Sequence, residues 1–154
     1  MKMNFGNTRS MEQIRRMEAL KKAGVCYFCR KGSEEKVTTP HIIYEKEFWY
    51  VTPNNFPYEG SEHHYVVVPK RHLKDLVEIL PDEAIELFEK IIPWLKKHLK
   101  ATGYSMFVRS GNMKFTGATI DHLHFHFLVG GPKKKNGTLQ DNILVTLGHK
   151  KKQK

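Results

Sequence analysis

Three histidines alternate with apolar residues in one short segment, Asp121-His-Leu-His-Phe-His-Phe-Leu128. Side chains on a β-strand point alternately to its two faces, so His122, His124 and His126 would share one face, with neighbouring rings about 7 Å apart. The other face would hold four apolar side chains, Leu123, Phe125, Phe127 and Val129. Three imidazoles would be a costly way to build a core, so we interpret this row as a chemical site.

Two chemistries fit such a row. An imidazole nitrogen can bind zinc, or it can attack a phosphorus centre as a nucleophile while its neighbours stabilise developing charge. The upstream segments Gly111-Asn112 and Gly117-Ala118-Thr119 offer backbone amides and small polar side chains that could surround an anion. This composition favours phosphate chemistry, although the residue pattern alone leaves both readings open.

Two cysteines, Cys26 and Cys29, are separated by two residues. The N-terminal segment has no apolar core of the kind that a secretory signal needs, so a disulfide framework is not expected. Cys-x-x-Cys supplies half of a tetrahedral zinc site and requires two more ligands from elsewhere.

The apolar periodicity predicts an α+β fold, with an antiparallel sheet of about five strands and a long helix packed on one face. One helix is expected at 10–23, ended by Gly24, and a second begins at Pro81. The second helix carries an apolar stripe that we assign to the core, is expected to kink at Pro93, and stops at Gly103. The stripe comprises Ala84, Leu87, Phe88, Ile91, Ile92, Leu95 and Leu99. Strands are expected at 42–44, 48–52, 65–68, 104–109 and 120–129, with loops at 54–60 and 111–119.

The net charge of +10 comes from 26 basic and 16 acidic side chains, and it is confined to the two ends. Residues 1–24 carry six basic and two acidic side chains, residues 133–154 carry seven and one, and residues 25–132 carry 13 of each. We therefore divide the chain into a basic N-terminal helical extension (1–24), a neutral domain (25–132) and a basic C-terminal tail (133–154). Basic ends are usually solvated, so nucleic-acid binding through them is an open but not favoured alternative.

Membrane insertion is not expected, because no apolar run approaches the 18 or so residues that a helical span requires. Together with the missing signal pattern, this predicts a cytoplasmic protein.

The histidine row resembles the His-x-His-x-His pattern of the histidine-triad (HIT) superfamily of nucleotide hydrolases and transferases. The segments Phe48-Trp-Tyr-Val-Thr-Pro-Asn-Asn-Phe-Pro-Tyr58 and His64-Tyr-Val-Val-Val-Pro-Lys-Arg-His72 resemble that superfamily's nucleotide-binding loop and the strand that follows it. The resemblance covers about residues 25–131 and implies a HIT-like fold and a homodimer.

The resemblance also implies roles for individual residues. His124 would be the nucleophile that forms a covalent nucleotidyl-histidine, His126 would contact the phosphate and assist the leaving group, and His122 would orient the nucleophile or bind zinc. Around the nucleotide, the implied or suggested contacts are Asn54 near the ribose, Phe56 and Tyr58 at the base, and Asn112, Gly117 and Thr119 at the phosphate.

Zinc-containing members of the superfamily complete their Cys-x-x-Cys pair with two histidines, at positions that here hold His72 and His122. The resemblance therefore implies a structural zinc ion on Cys26, Cys29, His72 and His122. Four protein ligands would leave no open position, so the metal would act as scaffold and not as a Lewis acid.

The expected function is nucleotidyl hydrolysis or transfer on a nucleoside 5′-phosphate joined to a leaving group, with purine favoured by the resemblance. Dinucleoside polyphosphates, phosphoramidates and aminoacyl adenylates all remain candidate substrates. One alternative is a slow or non-enzymatic nucleotide-binding protein, because Ala118 stands where many triad hydrolases have glutamine. A second alternative is an enzyme that processes the 5′ ends of nucleic acids, which the basic N- and C-terminal segments of the chain favour. We expect Arg109 to be a solvated side chain.

Overall fold

The computed structural model describes residues 10–29 and 40–151. Five antiparallel strands form one sheet in the order β1-β2-β3-β5-β4. The strands are β1 (Tyr44–Glu45), β2 (Trp49–Pro53), β3 (Ser61–Pro69), β4 (Ser105–Val108) and β5 (Phe125–Gly130). The helices are α1 (Met11–Ala23), α2 (Pro81–Glu86), α3 (Ile92–His98) and α4 (Met113–Thr116). The predicted α+β class and the five-stranded antiparallel sheet are confirmed.

Strand alternation gives the sheet two different faces. On the first face, Trp49, Val51, Val67, Phe127 and Val129 pack with the long helix that runs from Pro81 to His98. That helix contributes four buried side chains to the same cluster, Leu87, Ile91, Ile92 and Leu95. We call this the helix face of the sheet.

The opposite face carries a second, smaller apolar cluster with the three histidines beside it. Tyr50, Val66 and Val68 pack there against Leu20 of α1 and against Tyr27 and Phe28. The ring of Phe28 lies 5.7 Å from that of His122 and 5.0 Å from that of His124. We call this the triad face, and α1 covers part of it.

Helix α1 has the ends that the sequence predicts. Ser10 is the N-cap, and its side chain accepts a hydrogen bond from the Gln13 backbone N–H at 3.1 Å. Gly24 ends the helix with a φ of +67°, a conformation that glycine adopts without the steric penalty of a Cβ. The turn that follows is described as far as Cys29.

The long helix is interrupted by a π turn at Leu87–Ile91, immediately before Pro93. The Ile92 N–H donates to the Leu87 carbonyl, five residues back, and this bond widens the helix. Proline has no N–H to donate and its ring clashes with the carbonyl of the preceding turn, so a wider turn accommodates Pro93. Because the π turn contains one residue more than an α-helical turn, it changes which side chains of the apolar stripe face the sheet. Phe88 is 64% exposed, so its assignment to the core was wrong. The helix ends at His98, with Leu99 as its C-cap and Lys100 at a φ of +50°, and not at Gly103.

Strand β5 begins at Phe125, five residues later than predicted. In the β3–β5 register Val67 pairs with Phe125, so the residue opposite Leu123 would be Pro69. Proline has no N–H to continue the ladder, and the Leu123 N–H donates instead to the Leu73 carbonyl at 2.6 Å. Only His126 of the triad therefore lies within the strand.

Two further segments differ from expectation. The predicted loop at 111–119 contains α4, which begins at an Asn112 cap and ends at Gly117 with a φ of +72°. The C-terminal segment returns to the sheet: Ile143 is half-buried and lies against Gly60 and Gly130. Within the described ranges, no helix is both long and apolar enough to cross a membrane.

Candidate active site and metal cluster

The triad histidines are all buried on the triad face. His122, His124 and His126 are 2%, 6% and 5% exposed. The rings of His124 and His126 are 4.9 Å apart, closer than the 7 Å expected of a regular strand, because His124 precedes the ladder. The three side chains nevertheless avoid the helix face, where Phe125, Phe127 and Val129 are packed.

The ring of His124 is oriented by the backbone. Its Nδ1 lies 2.7 Å from the carbonyl oxygen of His122, and a carbonyl can only accept, so Nδ1 carries the hydrogen. Burial lowers the pKa of His124 to about 4, and the positive charge of Arg109 acts in the same direction. The ring is therefore neutral at neutral pH, with the lone pair on Nε2. This is the form of imidazole that can act as a nucleophile.

His122 is oriented in the same way, by a different carbonyl. Its Nε2 donates to the Pro69 carbonyl at 2.9 Å, which leaves the lone pair on Nδ1. Burial lowers the pKa of His122 to about 4. Nδ1 faces the two cysteines, at 3.4 Å from Cys26 Sγ and 3.4 Å from Cys29 Sγ.

A fourth residue completes this group, which we call the metal cluster: Cys26, Cys29, His72 and His122. The four potential ligand atoms all lie within 4.8 Å of one another, and Cys29 Sγ is 3.0 Å from His72 Nδ1. A tetrahedral zinc ion would place sulfur and nitrogen ligands about 3.5 Å apart, given its usual bond lengths. The observed separations and the free Nδ1 of His122 therefore fit a metal ion of this kind.

His126 lies between two nitrogen-bearing side chains. Its Nδ1 is 2.9 Å from Nε2 of His64, and its Nε2 is 2.9 Å from Nη1 of Arg109. Of the adjacent pair His63 and His64, only His64 faces the triad: it is 5% exposed, whereas His63 is half-buried beside Tyr65.

Arg109 is not the solvated side chain that we expected. Besides His126, its guanidinium contacts the Tyr58 hydroxyl at 2.8 Å and the Thr146 carbonyl at 2.6 and 3.1 Å. The three partners come from distant parts of the chain, so no local pattern marks the residue. Tyr58 stacks on His64, with ring centroids 4.8 Å apart and an angle of 12° between planes, which occupies one face of its ring.

A cleft that is partly open to solvent runs from the triad to α1. His124, His126 and Thr119 line one end, and Gln13 and Arg16 line the other. The Tyr27 hydroxyl joins its walls, because it accepts hydrogen bonds from Arg16 at 3.1 Å and from Asn55 at 2.9 Å.

The predicted nucleotide contacts divide into two groups. Asn54, Phe56 and Thr119 line the cleft, and Asn54 also lies 3.0 Å from His64 Nε2. Tyr58, Asn112 and Gly117 do not line it. Tyr58 lies against His64 and Arg109, Asn112 is exposed and caps α4 through Lys114 N at 3.0 Å, and Gly117 ends that helix. We predicted residues 111–119 to be a loop around the phosphate, but residues 113–116 form α4, and Asn112 caps this helix.

The five-stranded sheet with a buried histidine triad defines a class of nucleotide-handling domains. The chain belongs to the histidine-triad superfamily, and the family model described as "Scavenger mRNA decapping enzyme C-term binding" matches residues 25–138. The expected superfamily and fold are therefore confirmed.

Individual relatives agree with this assignment. The chain is 32% identical over 92 residues to an uncharacterized HIT-like protein of Chlamydia trachomatis, an alignment that covers 58% of this chain and 79% of the relative. A HIT family hydrolase from Clostridium thermocellum is 27% identical with a TM-score of 0.53, covering 73% of this chain and 94% of that one. A Zn-bound histidine triad protein from Mycobacterium smegmatis, 22% identical, has a TM-score of 0.52 and covers 76% and 82%.

Proposed function

We propose that the protein is a nucleotidyl hydrolase or transferase that works through a covalent intermediate on His124. The substrate is a nucleoside 5′-phosphate joined to a leaving group, with the nucleoside in the cleft beside α1. His124 Nε2 attacks the α-phosphorus, a phosphorus–nitrogen bond forms, and the bond to the leaving group breaks. Water or another acceptor then attacks the same phosphorus, releases the nucleotide and restores the neutral ring.

The observation that carries this proposal is the hydrogen bond from His124 Nδ1 to the His122 carbonyl at 2.7 Å. It supports nucleophilic chemistry in two ways. The bond keeps the lone pair on Nε2 before attack, and the carbonyl dipole stabilises the positive charge that the ring acquires when Nε2 is bonded to phosphorus. His124 also lines the cleft, so a bound phosphate can reach it.

His126 and Thr119 complete the proposed phosphate site. Both line the cleft, and the His126 ring lies 4.9 Å from that of His124. In this position His126 can contact a phosphate oxygen and assist the leaving group. Asn54 and Phe56 are proposed to hold the ribose and base. Asn112 and Gly117 were predicted as phosphate contacts, but their positions outside the cleft lend that role no support.

We further propose that the metal cluster holds a structural zinc ion. Cys26, Cys29, His72 and His122 would be its ligands, and the ion would tie the turn at 26–29 to the segment that carries the nucleophile. Zinc supplies no step of the reaction in this proposal, because its four positions would all be taken by protein atoms.

Capture of the intermediate tests the proposal directly. The protein is mixed with adenosine 5′-phosphoramidate or diadenosine triphosphate carrying a labelled α-phosphate, quenched in alkali, and digested for mass spectrometry. Label on His124 is expected, and none in His124→Ala. Turnover that survives in His124→Ala would contradict the mechanism, whereas binding without turnover in the wild type would favour the slow, nucleotide-binding alternative.

A second candidate, processing of nucleic-acid 5′ ends, is favoured by the decapping description of the matched family and by the lysines at 133–135 and 150–151. Binding of a 5′-capped oligonucleotide, measured over a salt titration, tests it. Affinity that falls steeply with salt and depends on those lysines is expected in that case. Equal affinity for the capped oligonucleotide and the free cap would exclude a role for the basic ends.

A cytoplasmic homodimer remains our expectation for the assembly.

A further inference from the structure

Arg109 is a half-buried cation beside the triad. It follows β4 directly, and its Cζ lies 5.0 Å from the centre of the Phe107 ring. That ring also stacks on His126, with centroids 4.4 Å apart and planes at 10°. Phe107 therefore holds the guanidinium and the imidazole in adjacent positions.

The partners of Arg109 are uncharged. They are an imidazole nitrogen, a phenol hydroxyl and a backbone carbonyl. In the ranges 10–29 and 40–151, no carboxylate lies within salt-bridge distance of it, whereas Arg71, for comparison, contacts Glu83 at 2.9 Å. Neutral acceptors stabilise the positive charge of a guanidinium less than an anion does. A negatively charged group is therefore expected to bind favourably at this position.

The position of Arg109 relative to the cleft indicates which group that would be. The cleft extends from α1 to His124 and His126, and Arg109 lies on the other side of His126, outside the lining. A nucleoside bound in the cleft would have its α-phosphate beside the two histidines. A second phosphate group that extends beyond the first, past His126, would then reach the guanidinium.

The contact between Arg109 and His126 points the same way. Arg109 Nη1 lies 2.9 Å from His126 Nε2, so an anionic oxygen beside both groups would lie within reach of a guanidinium N–H. A neutral leaving group offers no comparable charge.

We propose that Arg109 binds a second phosphate group, next to the one that His124 attacks, and so selects nucleoside di- and polyphosphate linkages over uncharged leaving groups. This rests on the function proposed above. In the step that it assists, the His124 nitrogen–phosphorus bond forms and the bond from the α-phosphorus to the bridging oxygen breaks. That oxygen departs as part of an anionic phosphate held by Arg109, so it needs no proton. The amine of a phosphoramidate, by contrast, must be protonated as it leaves.

The C-terminal segment fixes the guanidinium in this direction. The Thr146 carbonyl accepts from Nε and Nη2, which leaves Nη1 as the group that faces His126. Residues of the predicted basic tail thus contribute to the site through a backbone atom and not through their charge.

The test compares two substrates that share the nucleoside and the attacked phosphate, diadenosine triphosphate and adenosine 5′-phosphoramidate. In Arg109→Gln, kcat/KM for the triphosphate is expected to fall about 100-fold, while kcat/KM for the phosphoramidate stays close to that of the wild type. Arg15→Gln is the matched control, since it removes the same charge from an exposed position on α1. Thermal unfolding verifies that each variant is folded.

An equal loss on both substrates would mean that Arg109 only positions His126, and no loss on either would mean that it binds no substrate phosphate. Both results overturn the proposal. Equilibrium binding of ADP and AMP supplies a readout that does not need turnover. The wild type is expected to prefer ADP, and Arg109→Gln to lose that preference. If the wild type binds both equally, the proposal fails even when His124 is labelled. If ADP is preferred but no label appears, the proposed chemistry fails instead.

Discussion

The two faces of the sheet are built from the same strands but have different contents. On the helix face an apolar cluster packs against the long helix, and Glu83 and Glu86 of that helix are the buried charged side chains beside it within the described residues. The triad face buries four histidines, His64, His122, His124 and His126, next to a smaller apolar cluster. Each buried imidazole there has a hydrogen-bond partner within 3 Å, which offsets the cost of removing it from water. The apolar core packed on the long helix and the histidines of the triad therefore lie on opposite faces of one sheet, so substitutions on the two faces should have separable effects on stability and on activity.

The largest effect is expected for His124→Ala on the triad face. Loss of the nucleophile should lower kcat by about 10⁴-fold or more. The unfolding midpoint should change little. Steady-state kinetics with diadenosine triphosphate measures it, and His98→Ala, an exposed histidine on the long helix, is the control. A variant that keeps even a tenth of wild-type activity would place the nucleophile elsewhere.

On the helix face, Leu95→Ala should do the reverse. Leu95 is fully buried, so its truncation is expected to cost about 2–5 kcal/mol of unfolding free energy, with kcat/KM near the wild-type value for the folded fraction. Urea denaturation measures it, and Lys96→Ala, exposed on the next position of α3, is the control. If Leu95→Ala instead reduced kcat strongly while remaining folded, the two faces would be coupled.

The expected effect of removing a ligand of the metal cluster is intermediate between those of the two preceding substitutions. Cys26→Ser should reduce bound zinc from one ion per chain to none and lower the unfolding free energy by about 2 kcal/mol, a shift of roughly 4–8 °C in Tm. The loss in kcat should be much smaller than for His124→Ala, because the carbonyl that orients His124 is main chain. Metal analysis and calorimetry decide this, with His41→Ala as an exposed control. Unchanged metal content would refute the proposed ligand set.

The smallest effect is expected at Gly148, where the C-terminal segment approaches α4. Its φ is +144°, and a Cβ there would lie 2.7 Å from the Phe115 carbonyl oxygen. Gly148→Ala should therefore displace the segment at a cost of about 1–2 kcal/mol and reduce kcat/KM on diadenosine triphosphate several-fold. Gly131→Ala is the matched control, since a Cβ at that position meets nothing within 4 Å. Equal behaviour of the two variants would show that Thr146 does not hold Arg109 in place.

The sequence was a good guide to the fold where the pattern is local and strong. The start of α1 at Ser10 and its end at Gly24 follow from residues within a few positions of each other. The grouping of Cys26, Cys29, His72 and His122 was implied only by the superfamily resemblance, because 96 residues separate the first and last members.

The errors have physical causes that a local pattern does not contain. The start of β5 depends on Pro69 in another strand, and the exposure of Phe88 depends on a π turn that Pro93 induces. Arg109 acquires its role from Tyr58, His126 and Thr146, which lie 51, 17 and 37 residues away. Its own neighbours, Val108 and Ser110, give no indication of it.

His122 makes two unrelated contacts, one through its ring and one through its carbonyl. The ring belongs to the metal cluster and can be supplied only by histidine, whereas any amino acid supplies the carbonyl that orients His124. Replacement of the His122 side chain would therefore remove one ligand of the metal cluster but leave in place the carbonyl that orients the nucleophile.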